Sequence, residues 1–149
     1  MRSPFGRRQQ RLSREDIDRI EAKLAAAERM TSAEIRVVFT ESSWLGMKAR
    51  ARSLFTKHGL DRTAGQNAVL LLIDTRSREV LVYGDKGVDS QVGPEFWNDV
   101  TDAIIQECRE GRLAAGVMTG LRLIGEKLSP IFPPGAMDVD DLPNAVVFD

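Results

Sequence analysis

The chain has 149 residues, with 21 lysines and arginines against 22 acids and a single cysteine. That length fits one domain with a sizeable core. The near-zero net charge leaves no surplus of Lys and Arg for nucleic acid as the main partner. The lone cysteine, Cys108, excludes an internal disulfide and a cysteine-based metal cluster.

Positive charge gathers at the start, where "MRSPFGRRQQRLSR" holds Arg2, Arg7, Arg8, Arg11 and Arg14 with no acid among them. Residues 1–11 read as a flexible, solvated basic arm. The alternative is contact with an anionic membrane surface, where each basic residue contributes about 1 kcal/mol. No apolar segment follows these arginines, so no secretory signal is expected. No run approaches the roughly 20 apolar residues of a membrane span, and the expected compartment is the cytoplasm.

In "LSREDIDRIEAKLAAAERM", Ile17, Ile20, Leu24 and Ala27 recur at helical spacing. Ser13 stands ahead as an N-cap with Asp16 in the first turn, predicting a helix over about 14–30. "TSAEIRVVFTE" is β-branched and apolar at 35, 37, 38 and 39, a largely buried strand. "SWLGMKARARSLFTKHGL" sets Trp44, Met47, Ala51, Leu54 and Phe55 on one helical face and stops at Gly59. His58, the only histidine, falls at that helix end, where a cationic ring suits the helix dipole.

Residues 68–73 form an unbroken apolar run, as in a strand covered on both faces. The polar turn "DTRSRE" then leads into "VLVY", a second strand and hence a hairpin. Pro94 opens an expected helix in "PEFWNDVTDAIIQECREG", with Phe96, Val100, Ile104 and Cys108 inward. "RLAAGVMTGLRLIGEKLSPIF" is a further helix whose Ala115, Gly116, Gly120 and Gly125 invite close packing. The tail, 134–149, reads as irregular, with Val146 to Phe148 as an apolar clot able to dock on the body or on a partner. The order implies an α/β fold: a three-layer αβα sandwich around a mixed sheet of about four strands with one antiparallel hairpin.

Four stretches in order, "AEIRVVFTESSW", "ARSLFTKHGLDRTAGQNAVLLLI", "REVLVYGDKGVDSQVGPEFWNDV" and "GRLAAGVMTGLRLIGEKLSPIFP", resemble the TPM domain family. That family is named for a thylakoid lumen phosphatase, a photosystem II repair protein and a levamisole-receptor accessory protein. The resemblance covers about 12–133 and looks like the small soluble bacterial version. It implies an αβα sandwich, and weak acid phosphatase activity with calcium binding for the plant lumenal member. For other members it implies accessory roles in membrane-complex assembly or repair. The positions matching the family's loop pattern are Asp85 and Asp89 in "GDKGVD", together with "DRTAGQN" at 61–67.

Two readings of the 84–89 turn stay open. Carboxylates four residues apart, with backbone carbonyls, are the hard oxygen ligands of Ca²⁺ or Mg²⁺. Glu34 and Asp74 are further acids that strand direction could bring alongside. Alternatively, Gly-Asp-Lys-Gly is turn chemistry in its own right. There is no EF-hand loop, nucleophile elbow, P-loop or Cys-x5-Arg phosphatase loop, and no catalytic residue is assigned. A phosphomonoesterase here would need a metal, with Arg62 or Lys86 holding phosphate. A tryptophan exposed near the turn, Trp97, would instead anchor a protein partner. Of the functions this leaves, the first is a non-catalytic interaction or accessory module needing no cofactor, its partner a protein such as a membrane-anchored relative. The second is a weak divalent-metal-dependent phosphatase or calcium-binding domain.

Overall fold

Why is one strand apolar over five consecutive residues, when most sheets alternate? In the computed structural model, which describes residues 12–135 and 145–149, Val69–Asp74 is buried throughout because helices cover both faces of its sheet. The elements run α1 (Arg14–Arg29), β1 (Ile35–Thr40), α2 (Met47–Lys57), a 3₁₀ turn (Leu60–Arg62), β2 (Val69–Asp74) and β3 (Glu79–Gly84). There follow a one-turn α3 (Lys86–Asp89), α4 (Asn98–Arg109), α5 (Leu113–Leu128) and a short β4 (Val147–Phe148).

The sheet order is β3-β2-β1-β4, antiparallel only between β2 and β3. Strand alternation divides the core in two. Ile35, Val37, Phe39, Val69, Leu71 and Ile73 point to the side covered by α1, α4 and α5. Val38, Leu70 and Leu72 point to α2, where Ala51, Leu54 and Phe55 meet them. The expected αβα sandwich and its hairpin are therefore present.

Local chemistry sets the boundaries. Ser13 and Asp16 form a reciprocal capping box on α1, each side chain accepting the other's backbone N–H. On α5 the small residues do allow close approach. A Cβ on Gly120 would lie 2.4 Å from Ile104 Cδ1, and one on Gly125 would lie 3.3 Å from Ala27 Cα. Cys108 is buried in this layer, and desolvation pushes its thiol up to about 12. It is a small hydrophobe here.

Four expectations change. Trp44 is not on the inner face of α2, because the helix starts only at Met47, after Gly46 at φ 103°. That left-handed backbone turns the chain and leaves Trp44 86% exposed. Helix α4 begins at Asn98, not at Pro94, since residues 94–97 make turns first. Residues 86–89 form a helical turn of their own, too short for periodicity to reveal. In the tail, 147–148 forms a strand, whereas the arm 1–11 and residues 136–144 lie outside the described residues.

Candidate functional site

Strand β3 ends at Gly84, and the backbone then turns at Asp85, the N-cap of α3. Asp85 Oδ1 accepts the Lys86 N–H at 2.8 Å, while the Asp85 carbonyl accepts from Val88 and Asp89. This is the turn role read from the sequence. Gly87 has a separate reason. Its N–H donates to Gln66 O at 2.8 Å, and a Cβ there would lie 2.5 Å from that oxygen and 2.6 Å from Gly65 O. The two segments singled out by family pattern, 61–67 and 84–89, are thus pressed backbone to backbone, and only glycine permits the contact.

The acids are placed unequally. Asp85 Oδ2 is buried and has no hydrogen-bond partner. Asp89 has its carboxyl raised, chiefly by partial burial; the Asp85 charge adds to this and Lys48 opposes it. Asp89 lines a cavity of about 420 Å³ between β3, α2 and the turn before α4, with Lys48, Tyr83, Pro94 and Trp97 among its other walls.

Glu34 lies in the same row of the sheet. Its carbonyl accepts the Val69 N–H, and Ala68 beside it accepts the Asp85 N–H. Two strand spacings, about 10 Å, separate Glu34 from Asp85. Glu34 is 7% exposed and its Oε2 is also unpartnered.

Asp74 does not join them. It sits at the opposite end of β2, roughly 20 Å away along the strand, because β1 and β2 run parallel and Asp74 closes the hairpin turn. Its Oδ1 accepts from Arg76 N and Ser77 N, and Ser43 Oγ donates to its Oδ2. Among the described residues no three His, Cys, Asp or Glu side chains come together as a metal cluster.

Of the phosphate-contact candidates, Arg62 ends the 3₁₀ turn and Lys86 begins α3, both exposed. Trp97 is 9% exposed, edge-to-face with Phe96 at 4.6 Å and part of the core. It forms a cavity wall and not a protruding anchor. The exposed tryptophan is Trp44, at the other end of β1.

A family model described as the TPM domain matches residues 7–127. The chain belongs to the TPM domain family. Two solved structures carry the likeness further. The BA42 protein from the psychrophilic bacterium Bizionia argentinensis is 31% identical, with 93% of this chain and 95% of that one covered at a TM-score of 0.86. The N-terminal domain of the cg2496 protein from Corynebacterium glutamicum shares the fold at 16% identity, with 87% and 80% covered and a TM-score of 0.63. No functionally curated protein matches the chain.

This TPM domain also holds a charged cluster that sequence reading missed. Asp149, just after β4, meets Lys57 Nζ at 2.7 Å, His58 Nε2 at 3.0 Å and Arg50 at 3.3 Å. The Lys57 hydrogen bond leads in holding the Asp149 carboxyl below its ordinary value, with His58 and Arg50 assisting. The available signal was the spacing of Arg50 and Lys57, seven residues and two turns apart on one helix face. His58 does cap α2 as expected, with its N–H donating to Leu54 O, but its ring serves this contact as well. Among the described residues, no helix is long and apolar enough to cross a membrane.

Proposed function

We propose that this TPM domain is a non-catalytic interaction module, an accessory to membrane-anchored proteins in assembly or quality control. The observation that carries this reading is the exposure of large apolar side chains at one end of the sheet. Trp44 is 86% exposed, Leu45 69% and Phe148 59%, and they are the exposed large hydrophobics among the described residues. All three sit by the last residues of β1: Trp44 and Leu45 follow Thr40, and Phe148 pairs with Phe39. Apolar side chains gathered in water mark contact surfaces, and Trp is the residue type most enriched at interface hot spots. A cleft of about 150 Å³ beside Trp44, between its loop and α2, offers a partner side chain a place to seat.

The test is a pair of substitutions, Trp44→Ala with Leu45→Ser. Such exposed changes should move folding stability by no more than about 0.5 kcal/mol. Tagged protein in its native extract should nevertheless shift from a high-mass complex to the free chain on size exclusion. An unchanged elution profile would remove the reading.

A second reading, a divalent cation at the 84–89 turn with weak phosphomonoester hydrolysis, is favoured by the buried, unpartnered Asp85 Oδ2. Asp85 and Asp89 would hold the ion with backbone oxygens, and the ion would supply charge stabilisation to a bound phosphate. Asp85→Asn separates the roles, since it keeps an acceptor for the Lys86 N–H and removes the charge. If a cation binds, the variant should lose all stabilisation by millimolar Ca²⁺ or Mg²⁺ and melt at an equal or higher temperature without metal. Identical melting of variant and parent, with and without metal, reduces Asp85 to a turn residue of about 1 kcal/mol.

A further inference from the structure

Strand β4 is held to β1 by two register pairs only, Val38 with Val147 and Phe39 with Phe148. Yet each residue of the segment meets its own acceptor. Glu21 Oε2 on α1 accepts the Val146 N–H at 2.9 Å. Val147 packs into the α2-side cluster, and Phe148 stacks on Phe39 with ring centroids 5.4 Å apart. The Asp149 N–H donates to Phe39 O at 2.9 Å, and its carboxylate enters the Arg50, Lys57 and His58 cluster. An open strand edge, an aromatic shelf and a charged end-pocket are the working parts of recognition by strand addition.

We propose that this edge is a strand-accepting site for another protein, with β4 as its occupant in the resting chain. The ligand is an extended segment entering parallel to β1 with the pattern acid, any residue, apolar, aromatic, acid. The first acid is argued from Arg36, one row back on the α2 face. Arg36 is 5% exposed and its Nε has no hydrogen-bond partner. Continued by two residues, the register sets Ala145 opposite Arg36, a methyl group where a carboxylate would pair. The chain's own segment therefore fits the site incompletely, and a partner strand with an acid there fits it better. An incoming strand replaces the two register pairs and the Asp149 contacts like for like, and Lys57 keeps 60% of its side chain in solvent where an incoming carboxylate can reach it. The site shares Phe148 with the preceding reading but does not use Trp44 or Leu45, so the Trp44→Ala with Leu45→Ser test leaves it untouched.

The test uses labelled hexapeptides NEVVFD, NAVVFD and NEVVFN with the full chain, followed by fluorescence anisotropy. The double variant Phe148→Ala with Asp149→Asn vacates the site without altering its walls. NEVVFD should bind that variant about ten-fold more tightly than the parent, because the internal occupant no longer competes. It should also bind more tightly than NAVVFD and NEVVFN, and adding Lys57→Glu should abolish binding. Equal affinity for all three peptides, or binding that survives Lys57→Glu, would overturn the proposal. The parent chain supplies the same comparison by NMR: excess NEVVFD should move the amides of 37–40 and 146–149, and NEVVFN should not. No movement with either peptide overturns it too. Dimerisation of the parent by light scattering, dissolved by Lys57→Glu, would assign the edge to a second copy and overturn the foreign-strand assignment.

Discussion

Leu71→Ala should lower stability by about 2–5 kcal/mol, the range for removing a fully buried leucine side chain. Leu71 is 0% exposed and sits mid-way along β2, paired with Val37 on one side and Val82 on the other. Its side chain points into the larger core beneath α1, α4 and α5. Neighbours in a strand are fixed by ladder hydrogen bonds on both sides, so the vacated space cannot close by a backbone shift. Urea melts with an unchanged m-value should report the loss. Leu45→Ala, at a position 69% exposed, should change the midpoint hardly at all. Equal midpoints for the two variants would contradict the assignment of β2 as the covered centre of the sheet.

Gly87→Ala should cost about 1–3 kcal/mol, as expected when a methyl group is forced into packed surroundings. The atoms it would strike are backbone oxygens of Gly65 and Gln66, which have no rotamer into which to retreat. Either the 65–66 segment moves away, breaking the Gly87-to-Gln66 hydrogen bond, or α3 tilts out of place. Amide shift changes should then concentrate in 63–68 and 84–90. Gly93→Ala is the matched control, since a Cβ there has nothing within 4 Å. A Gly87 variant as stable as the Gly93 variant would mean that the two loops are not clamped together.

The layers of this fold were legible because they rest on strong, local signals. The apolar run at 68–73, the Ser13 cap and the periodicity of Ile20, Leu24 and Ala27 each determine an element with little outside help. Trp44 was misplaced because α2's apolar spacing continues back through it, and one glycine backbone at Gly46 decides where the helix begins. The 84–89 turn was legible as chemistry but not as geometry. Asp85 caps a turn as its residue type suggests, whereas the partner of Gly87 is Gln66, in a loop far back along the chain, which no local pattern encodes. Glu34 and Asp74 illustrate the same limit: strand direction alone put one in the row of Asp85 and the other at the far end. The Asp149 cluster was out of reach for a related reason. It joins residues 91 positions apart through a strand of two residues, below the length at which alternation can be recognised.

If this TPM domain meets another protein at the end of β1, that partner lies within reach of the Trp44 loop. The most direct measurement is photo-cross-linking in cells, with a photoreactive residue at position 45 compared against one at position 122. Arg122 is a suitable control because its side chain is 49% exposed on α5, away from the Trp44 loop. Position 45 should give one dominant adduct, unaffected by Asp85→Asn and lost with Trp44→Ala, and position 122 should give none. Equal adducts from both positions, or an adduct from position 45 that Trp44→Ala leaves intact, would contradict a contact there.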